Sequence, residues 1–213
     1  VLAQINLGLM YREGQGVHQN YKTVMKWFRL AAEQGNAKAQ NSLGFMYDNG
    51  QGVPQNYKTA VKWYRLAAEQ GDARAQSNLG LMYMQGKGVS KDYKTAVQWY
   101  RLAAAQGFAL AQSNLGVMYD EGHGVIQDNV YAHMWWNIAA SSGHKSAVKN
   151  RGIVAKRMTR SQLAKSQELA RNFVPRKGSP TVTARKSPSP KSATSGSGFF
   201  ISKLGHVLTN HHV

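Results

Sequence analysis

A nine-residue stretch decides the fold of this chain. It reads AQINLGLMY at residues 3–11, and close copies stand at residues 39–47, 75–83 and 111–119, always 36 residues apart. Within the stretch an Ala, a Leu, a Met and a Tyr recur at i, i+4, i+7 and i+8, which places them on one side of an α-helix. A fixed period of this length is typical of solenoids, in which each unit buries its apolar side only against its neighbours.

Each unit is predicted to contain two helices. The first ends at a Gly-x-Gly-Val stretch, found at residues 14–17, 50–53, 86–89 and 122–125. Glycine there accepts the positive φ that turns the chain back. The second helix carries apolar residues such as Val24, Phe28 and Ala31 at helical spacing, and loops this short join antiparallel neighbours. The sequence therefore predicts an all-α solenoid of about four 36-residue helix pairs.

Two sets of residues keep their positions in all four units. A glycine in the middle of a helix costs roughly 1 kcal/mol relative to alanine. Its recurrence indicates that another helix passes too close for a side chain. A tryptophan recurs in the second helix of each unit, where it supplies a large apolar group to bury. Both sets are predicted to be structural: Gly8, Gly44, Gly80, Gly116, Trp27, Trp63, Trp99 and Trp135.

The combined pattern A-x-x-x-L-G-x-M-Y, then G-x-G-V, then Y-x-x-A-x-x-W-Y-R-x-A-A-x-Q-G resembles the Sel-one-like repeat, a relative of the tetratricopeptide repeat. The resemblance covers residues 1–147, with the first repeat truncated at its N-terminus. It implies a right-handed α/α superhelix that serves as a scaffold for protein–protein contacts rather than as an enzyme. The fourth copy departs from the pattern at Asn129 and at residues 133–137, as expected of a terminal repeat with a different neighbour.

The C-terminal third differs in composition from the array. Residues 1–147 carry 14 Lys and Arg against 9 Asp and Glu, whereas residues 148–213 carry 13 against 1. Residues 148–174 are predicted to cap the array, with a Thr159–Gln162 capping box opening a helix that runs to about Phe173. Residues 175–194, rich in Pro, Ser and Lys, are predicted to form a disordered basic linker. Two interpretations of residues 176–191 remain open: contact with polyanions, or a solvated linker without a binding role.

The last segment, residues 195–213, reads SGSGFFISKLGHVLTNHHV and predicts an incomplete β-hairpin. It resembles the opening of the trypsin-like serine endopeptidases, especially the high-temperature-requirement group. That resemblance assigns His212 as the catalytic base, while His211 falls on a variable position. A triad also needs an acid and a serine, which do not follow here. The segment is therefore interpreted as the N-terminal fragment of a peptidase domain, inactive as given. The parent would be a serine endopeptidase, for which the resemblance favours a periplasmic or secreted location.

Other classes of site are not indicated. The chain has no cysteine, which excludes disulfides and thiolate ligands. Adjacent His211 and His212 would point to opposite faces of a strand, so no metal site is predicted, and no cofactor is predicted. The sequence has no run of about 18 apolar residues, so no membrane-spanning helix is predicted. The sequence leaves the oligomeric state and the cellular location of this chain open.

A partner-binding face is predicted on the first helices. Positions two residues after the core alanine lie about 200° away from it around the helix, and solenoids use their inner surfaces to bind extended protein or peptide partners. Packing against adjacent helices is the alternative for the same positions. An adaptor that recruits proteins to a peptidase is the preferred function, and a free-standing adaptor with a polyanion-binding tail is the alternative. The predicted partner-binding residues are Ile5, Leu9, Arg12, Asn41, Phe45, Asp48, Ser77, Leu81, Met84, Ser113, Val117 and Asp120.

Overall fold

The computed structural model describes residues 1–176, and this part of the chain is entirely α-helical. Consecutive helices pack on each other in antiparallel fashion along the chain, so that four helix pairs form a row. The all-α solenoid predicted from the period is confirmed. Its helices are α1 (Leu2–Glu13), α2 (Tyr21–Glu33), α3 (Ala37–Asn49), α4 (Tyr57–Glu69), α5 (Ala73–Gln85), α6 (Tyr93–Ala105), α7 (Ala109–Glu121), α8 (Asn129–Ser141), α9 (Lys145–Ala155) and α10 (Arg160–Arg171).

Short polar residues cap the N-termini of most helices, and glycines end the first helix of each pair. Asn56 accepts a hydrogen bond from the backbone N–H of Thr59 at 2.9 Å, which satisfies one of the free donors of the first turn of α4. Gly50 ends α3 with φ 69°. Two residues later, a Cβ on Gly52 would stand 2.5 Å from the carbonyl oxygen of Tyr21. The second glycine of this turn therefore allows the backbones of successive repeats to approach closely.

In the core of each pair, one aromatic ring of the second helix packs against one glycine of the first helix. A Cβ on Gly44 would lie 2.7 Å from the ring of Tyr64, and a Cβ on Gly80 would lie 2.8 Å from the ring of Tyr100. Phe28 and Trp136 take the same place in the first and fourth pairs. The hydroxyl of Tyr64 donates to Asp48 and the indole N–H of Trp136 donates to the carbonyl of Ser113, as buried polar groups require.

The tryptophans lie between neighbouring repeats rather than inside one pair. Half-buried Trp63 packs on the apolar cluster formed by α2 and α3, and Trp99 packs on the cluster formed by α4 and α5. Trp27 is also half-buried. Trp135 alone among the four is buried, where it meets Phe173 edge to face at 5.5 Å between ring centroids.

Helices α9 and α10 cover the fourth pair. The capping box is confirmed: Thr159 accepts from the N–H of Gln162, and the Gln162 side chain accepts from the N–H of Thr159. His144 caps α9, which begins at Lys145, three residues before the predicted boundary at residue 148. The helix predicted to reach about Phe173 ends at Arg171. Phe173 lies just beyond its end and contacts Trp135.

The first two residues of the predicted linker lie within the described part of the chain. The backbone N–H of Arg176 donates to the carbonyl of Ala105 at 2.7 Å, and Pro175 lies beside Gly107. These two residues therefore pack on the turn that follows α6. The remaining predictions for the linker, the β-hairpin and His212 fall on residues 177–213, which are outside the described part. Within residues 1–176, none of the helices has the length and apolar character needed to cross a bilayer.

Candidate partner-binding face

The twelve residues predicted to bind partners form three rows on the first helices, which differ in burial. The first row contains Asn41, Ser77 and Ser113, all buried, and half-buried Ile5. Asn41 accepts a hydrogen bond from the side chain of Asn78 at 3.0 Å, which joins α3 to α5. Neighbouring first helices therefore lie side by side. This row contributes to packing between repeats.

The middle row is apolar and more accessible. Phe45 is 47% exposed in the centre of α3. Leu9, Leu81 and Val117 are half-buried, with Leu9 and Val117 packed against the core of their repeats. The row therefore presents a partly covered apolar strip with one protruding aromatic ring.

The third row is polar and unequal between repeats. Tyr64 donates a hydrogen bond to Asp48 at 3.4 Å, whereas Tyr100 contacts the sulfur of Met84 at 3.8 Å. Burial raises the pKa of Asp48, opposed by the charge of Lys87 and by the Tyr64 hydrogen bond.

The first and last residues of the third row form ion pairs. Arg12 forms an ion pair with Glu13 at 2.9 Å, and Asp120 forms one with Arg157, which precedes α10. The third row therefore differs in charge from repeat to repeat, which is the kind of variation that a sequence-specific contact requires.

The exposed side of the second helices is basic. Lys22 and Lys26 lie one turn apart on α2, and Lys58 and Lys62 repeat the arrangement on α4, with Lys94 on α6. Sequence counting missed this surface because nine acidic residues elsewhere offset much of the positive charge of residues 1–147. The signal was present as lysines at i and i+4 in successive second helices.

Buried glutamines connect successive repeats. The side-chain N–H of Gln76 donates to the carbonyl of Ala68 at 3.1 Å, and its oxygen accepts from the side chain of Gln106 at 2.8 Å. Gln40 makes the matching pair of bonds to Ala32 and Gln70. Each glutamine therefore uses both ends of its amide.

The fourth repeat breaks this arrangement. Gln112 donates to the carbonyl of Ala104 at 3.1 Å, but its side-chain oxygen has no hydrogen-bond partner among residues 1–176. Ser142 stands where the earlier repeats have Gln34, Gln70 and Gln106. Next to Gln112 is a cleft of about 360 Å³, walled by the end of α8 and by the segment around Phe173. The alignment of Ser142 with the glutamines was the signal that sequence reasoning overlooked.

These features define a helical repeat scaffold, and comparison with known proteins identifies the class. The family described as Sel1 repeat matches the chain four times, at residues 1–36, 37–72, 73–108 and 109–144. The chain belongs to the Sel1 repeat family. Proteins of this family serve as protein–protein interaction scaffolds.

Two solved structures are similar to the chain. A Sel1 repeat protein from Oxalobacter formigenes is 42% identical with a TM-score of 0.64, and the match covers 68% of this chain and 60% of that one. The protein c5321, a protective antigen present in uropathogenic Escherichia coli strains that displays an SLR fold, is 31% identical with a TM-score of 0.57. That match covers 92% of this chain and 50% of that one. The chain thus spans 50–60% of the length of these structures.

No curated protein matches the chain. The family match ends at residue 144, and neither of the two similar proteins is named as a peptidase. The resemblance of residues 195–213 to serine endopeptidases therefore gains no support from the comparisons.

Proposed function

We propose that the first-helix face of the array is a docking surface for an extended segment of a partner protein. The observation that carries the proposal is Phe45, a large aromatic side chain that is 47% exposed in the middle row. Aromatic residues, phenylalanine among them, are enriched at protein–protein interfaces relative to the rest of the surface. Leu9, Leu81 and Val117 extend the apolar strip on either side of it.

The variation between repeats supports the same surface. The core letters of the first helices are repeated four times, while the third row changes from Arg12 to Asp48 to Met84 to Asp120. A partner segment that crosses all four repeats meets Arg12, Asp48, Met84 and Asp120 in turn, and the change of charge between them supplies specificity.

Substitution of Phe45 by Ser tests the proposal, with Leu66→Ser as the matched control. Leu66 lies on the exposed side of α4 and is 46% exposed, so both changes remove similar apolar surface. Once a partner has been identified by crosslinking from residue 45, its affinity should fall at least about tenfold for F45S. The affinity should be unchanged for L66S. Equal losses for the two variants would contradict the proposal.

A second candidate function is contact with polyanions. The exposed lysines of α2, α4 and α6 form a basic side of the array, and residues 176–191 add five more Lys and Arg. Binding through such contacts weakens steeply with salt because counterions are released. Binding of a heparin or oligonucleotide probe should therefore collapse between about 50 and 200 mM salt. No binding at low salt would exclude this function.

The finer hypothesis that the array recruits substrates to a serine endopeptidase rests on the sequence of residues 195–213. Its catalytic base would be His212. The residues encoded after Val213 test it first, because a peptidase needs a following Asp and a G-x-S-G-G segment. In a protein that contains both, His212→Ala should abolish cleavage of an unfolded substrate. Equal cleavage by the two forms would contradict the hypothesis.

A further inference from the structure

The second helix of the fourth repeat has a neighbour that the earlier second helices lack. Helix α10 packs on α8, where the hydroxyl of Ser166 lies 2.9 Å from Nδ1 of His133. Leu169 of α10 packs against the apolar cluster that includes α8. In this setting Met134 and Ile138 of α8 are only 0% and 8% exposed.

The equivalent side of the second helix is open in the first two repeats. Leu30 and Leu66 take the position of Ile138 but are 44% and 46% exposed. Lysines stand at the position of Met134 and one turn before it, and all four of them are exposed. These residues form the lysine–leucine face, which consists of Lys22, Lys26 and Leu30 on α2 and of Lys58, Lys62 and Leu66 on α4.

The cover on α8 comes from α10 and not from α9. A first helix that follows a pair leaves the face open, since α3 packs on α2 while Leu30 stays exposed. Helix α9 takes the same place after α8, with Ala147 buried as Ala39 is. Successive second helices of the four repeats do not make the close contact that α8 and α10 make. This side of a second helix can therefore bind an additional helix.

Charge decides which helix the open face accepts. It presents pairs of lysines where α8 presents Val130 and Met134, while Glu33 and Glu69 lie beyond the leucines at the helix ends. A bound helix therefore needs carboxylates beside its apolar side. Residues 177–213 carry five Lys and Arg and no Asp or Glu, and the same face of a second copy is equally basic. Neither has the complementary charge.

We propose that the lysine–leucine face binds an acidic amphipathic helix of a partner protein. Apolar side chains of that helix would cover Leu30 or Leu66, and its carboxylates would pair with the lysines one and two turns away. This partner class refines, and rests on, the polyanion contact proposed above for the same lysines. Heparin and the phosphates of nucleic acid supply negative charge but no aliphatic surface to cover the leucines.

A synthetic helix with leucines on one side and glutamates along both borders of that side is the probe for the full chain. A scrambled peptide of the same composition cannot gather its leucines on one side and should bind at least about tenfold more weakly. Leu30→Ser combined with Leu66→Ser should weaken binding of the probe at least about tenfold, because apolar contact is lost. The matched control, Leu110→Ser with Ile153→Ser, changes residues that are 43% and 50% exposed on other helices and should bind like the wild type. Equal binding of the two peptides, or equal affinities of the two double variants, would overturn the proposal.

Charge variants and other polyanions separate this proposal from the general polyanion contact. Lys26→Gln with Lys62→Gln should weaken binding of the probe about two- to tenfold at low salt, whereas Lys38→Gln with Lys149→Gln, on α3 and α9, should leave it unchanged. Heparin binding without probe binding would overturn the helix proposal alone, and probe binding without heparin binding would exclude only the general contact. Leucine-dependent binding to phosphatidylserine vesicles, without leucine-dependent binding of the probe, would also overturn the proposal, because the partner would then be a membrane surface.

Discussion

The ring of Tyr100 lies against Gly80 so closely that a Cβ on residue 80 would stand 2.8 Å from two of its carbon atoms. The same approach recurs between Gly44 and Tyr64. The glycine lets the two helices of a pair come together around a fully buried aromatic ring. This contact explains why a residue that weakens an isolated helix is repeated in every unit.

The Gly80→Ala variant should be less stable than the wild type. Overpacking of a filled core costs about 1–3 kcal/mol, which exceeds the gain of up to about 1 kcal/mol in helix propensity. Gly152 offers the matched control, because a Cβ there meets nothing within 4 Å. Chemical denaturation should show a lower free energy of unfolding for G80A and an equal or higher one for G152A. A G80A variant as stable as G152A would refute the close-approach account.

The buried glutamine bonds should contribute measurably to stability. Gln106→Ser removes the donor to Gln76, whose side chain is fully buried, and to the carbonyl of Gly71, and should cost about 1–3 kcal/mol in the free energy of unfolding. Gln34→Ser removes a single side-chain hydrogen bond, whose acceptor, Gln4, is only half-buried. It should cost a few tenths of a kcal/mol, because water replaces the lost bond. Equal losses from Q106S and Q34S would show that burial of the acceptor is unimportant.

A buried histidine makes stability depend on pH. Burial, helped by the charge of Arg151, lowers the pKa of His133 below its ordinary value of 6.5, and its Nδ1 lies 2.9 Å from the hydroxyl of Ser166. Below pH 6.5 the unfolded chain binds the proton more tightly than the folded one, so the free energy of unfolding falls as pH decreases. Above pH 6.5 this contribution is complete.

The His133→Val variant should remove that part of the pH dependence. Valine is the residue at the equivalent positions 61 and 97, and Ser166 keeps its hydrogen bond to the carbonyl of Leu163. The free energy of unfolding should fall less for H133V than for the wild type between pH 7.5 and about 5. If both proteins lose stability equally over this range, the protonation of His133 is not the cause.

The sequence predicted those features that depend on local pattern. The period of 36, the turn glycines and the Thr159 capping box all act within a few residues, so the helix pairs and the start of α10 followed from them. Burial of Asn41 did not follow, because it depends on α5 lying beside α3. The docking of Arg176 on Ala105 could not be predicted either, since a backbone-to-backbone hydrogen bond leaves no mark in side-chain identity.

The candidate surfaces show the same division. The Phe45 row was visible because it differs between repeats at a fixed helical angle. The missing hydrogen bond at Gln112 coincides with one substitution, Ser142, whose consequence appears only when the glutamine bonds of the other repeats are known. The walls of the neighbouring cleft include Phe173 and Pro175, which reach it through the fold of the cap.

Site-specific photocrosslinking is the most direct test of the first-helix docking surface. A photoreactive phenylalanine is placed at residue 45 or, as the matched control, at residue 66 in the full chain within its native cell. The account predicts a discrete protein adduct from residue 45 that purified F45S protein no longer binds, and no such adduct from residue 66. The same adduct from both positions, or undiminished binding of the captured protein to F45S, would contradict it.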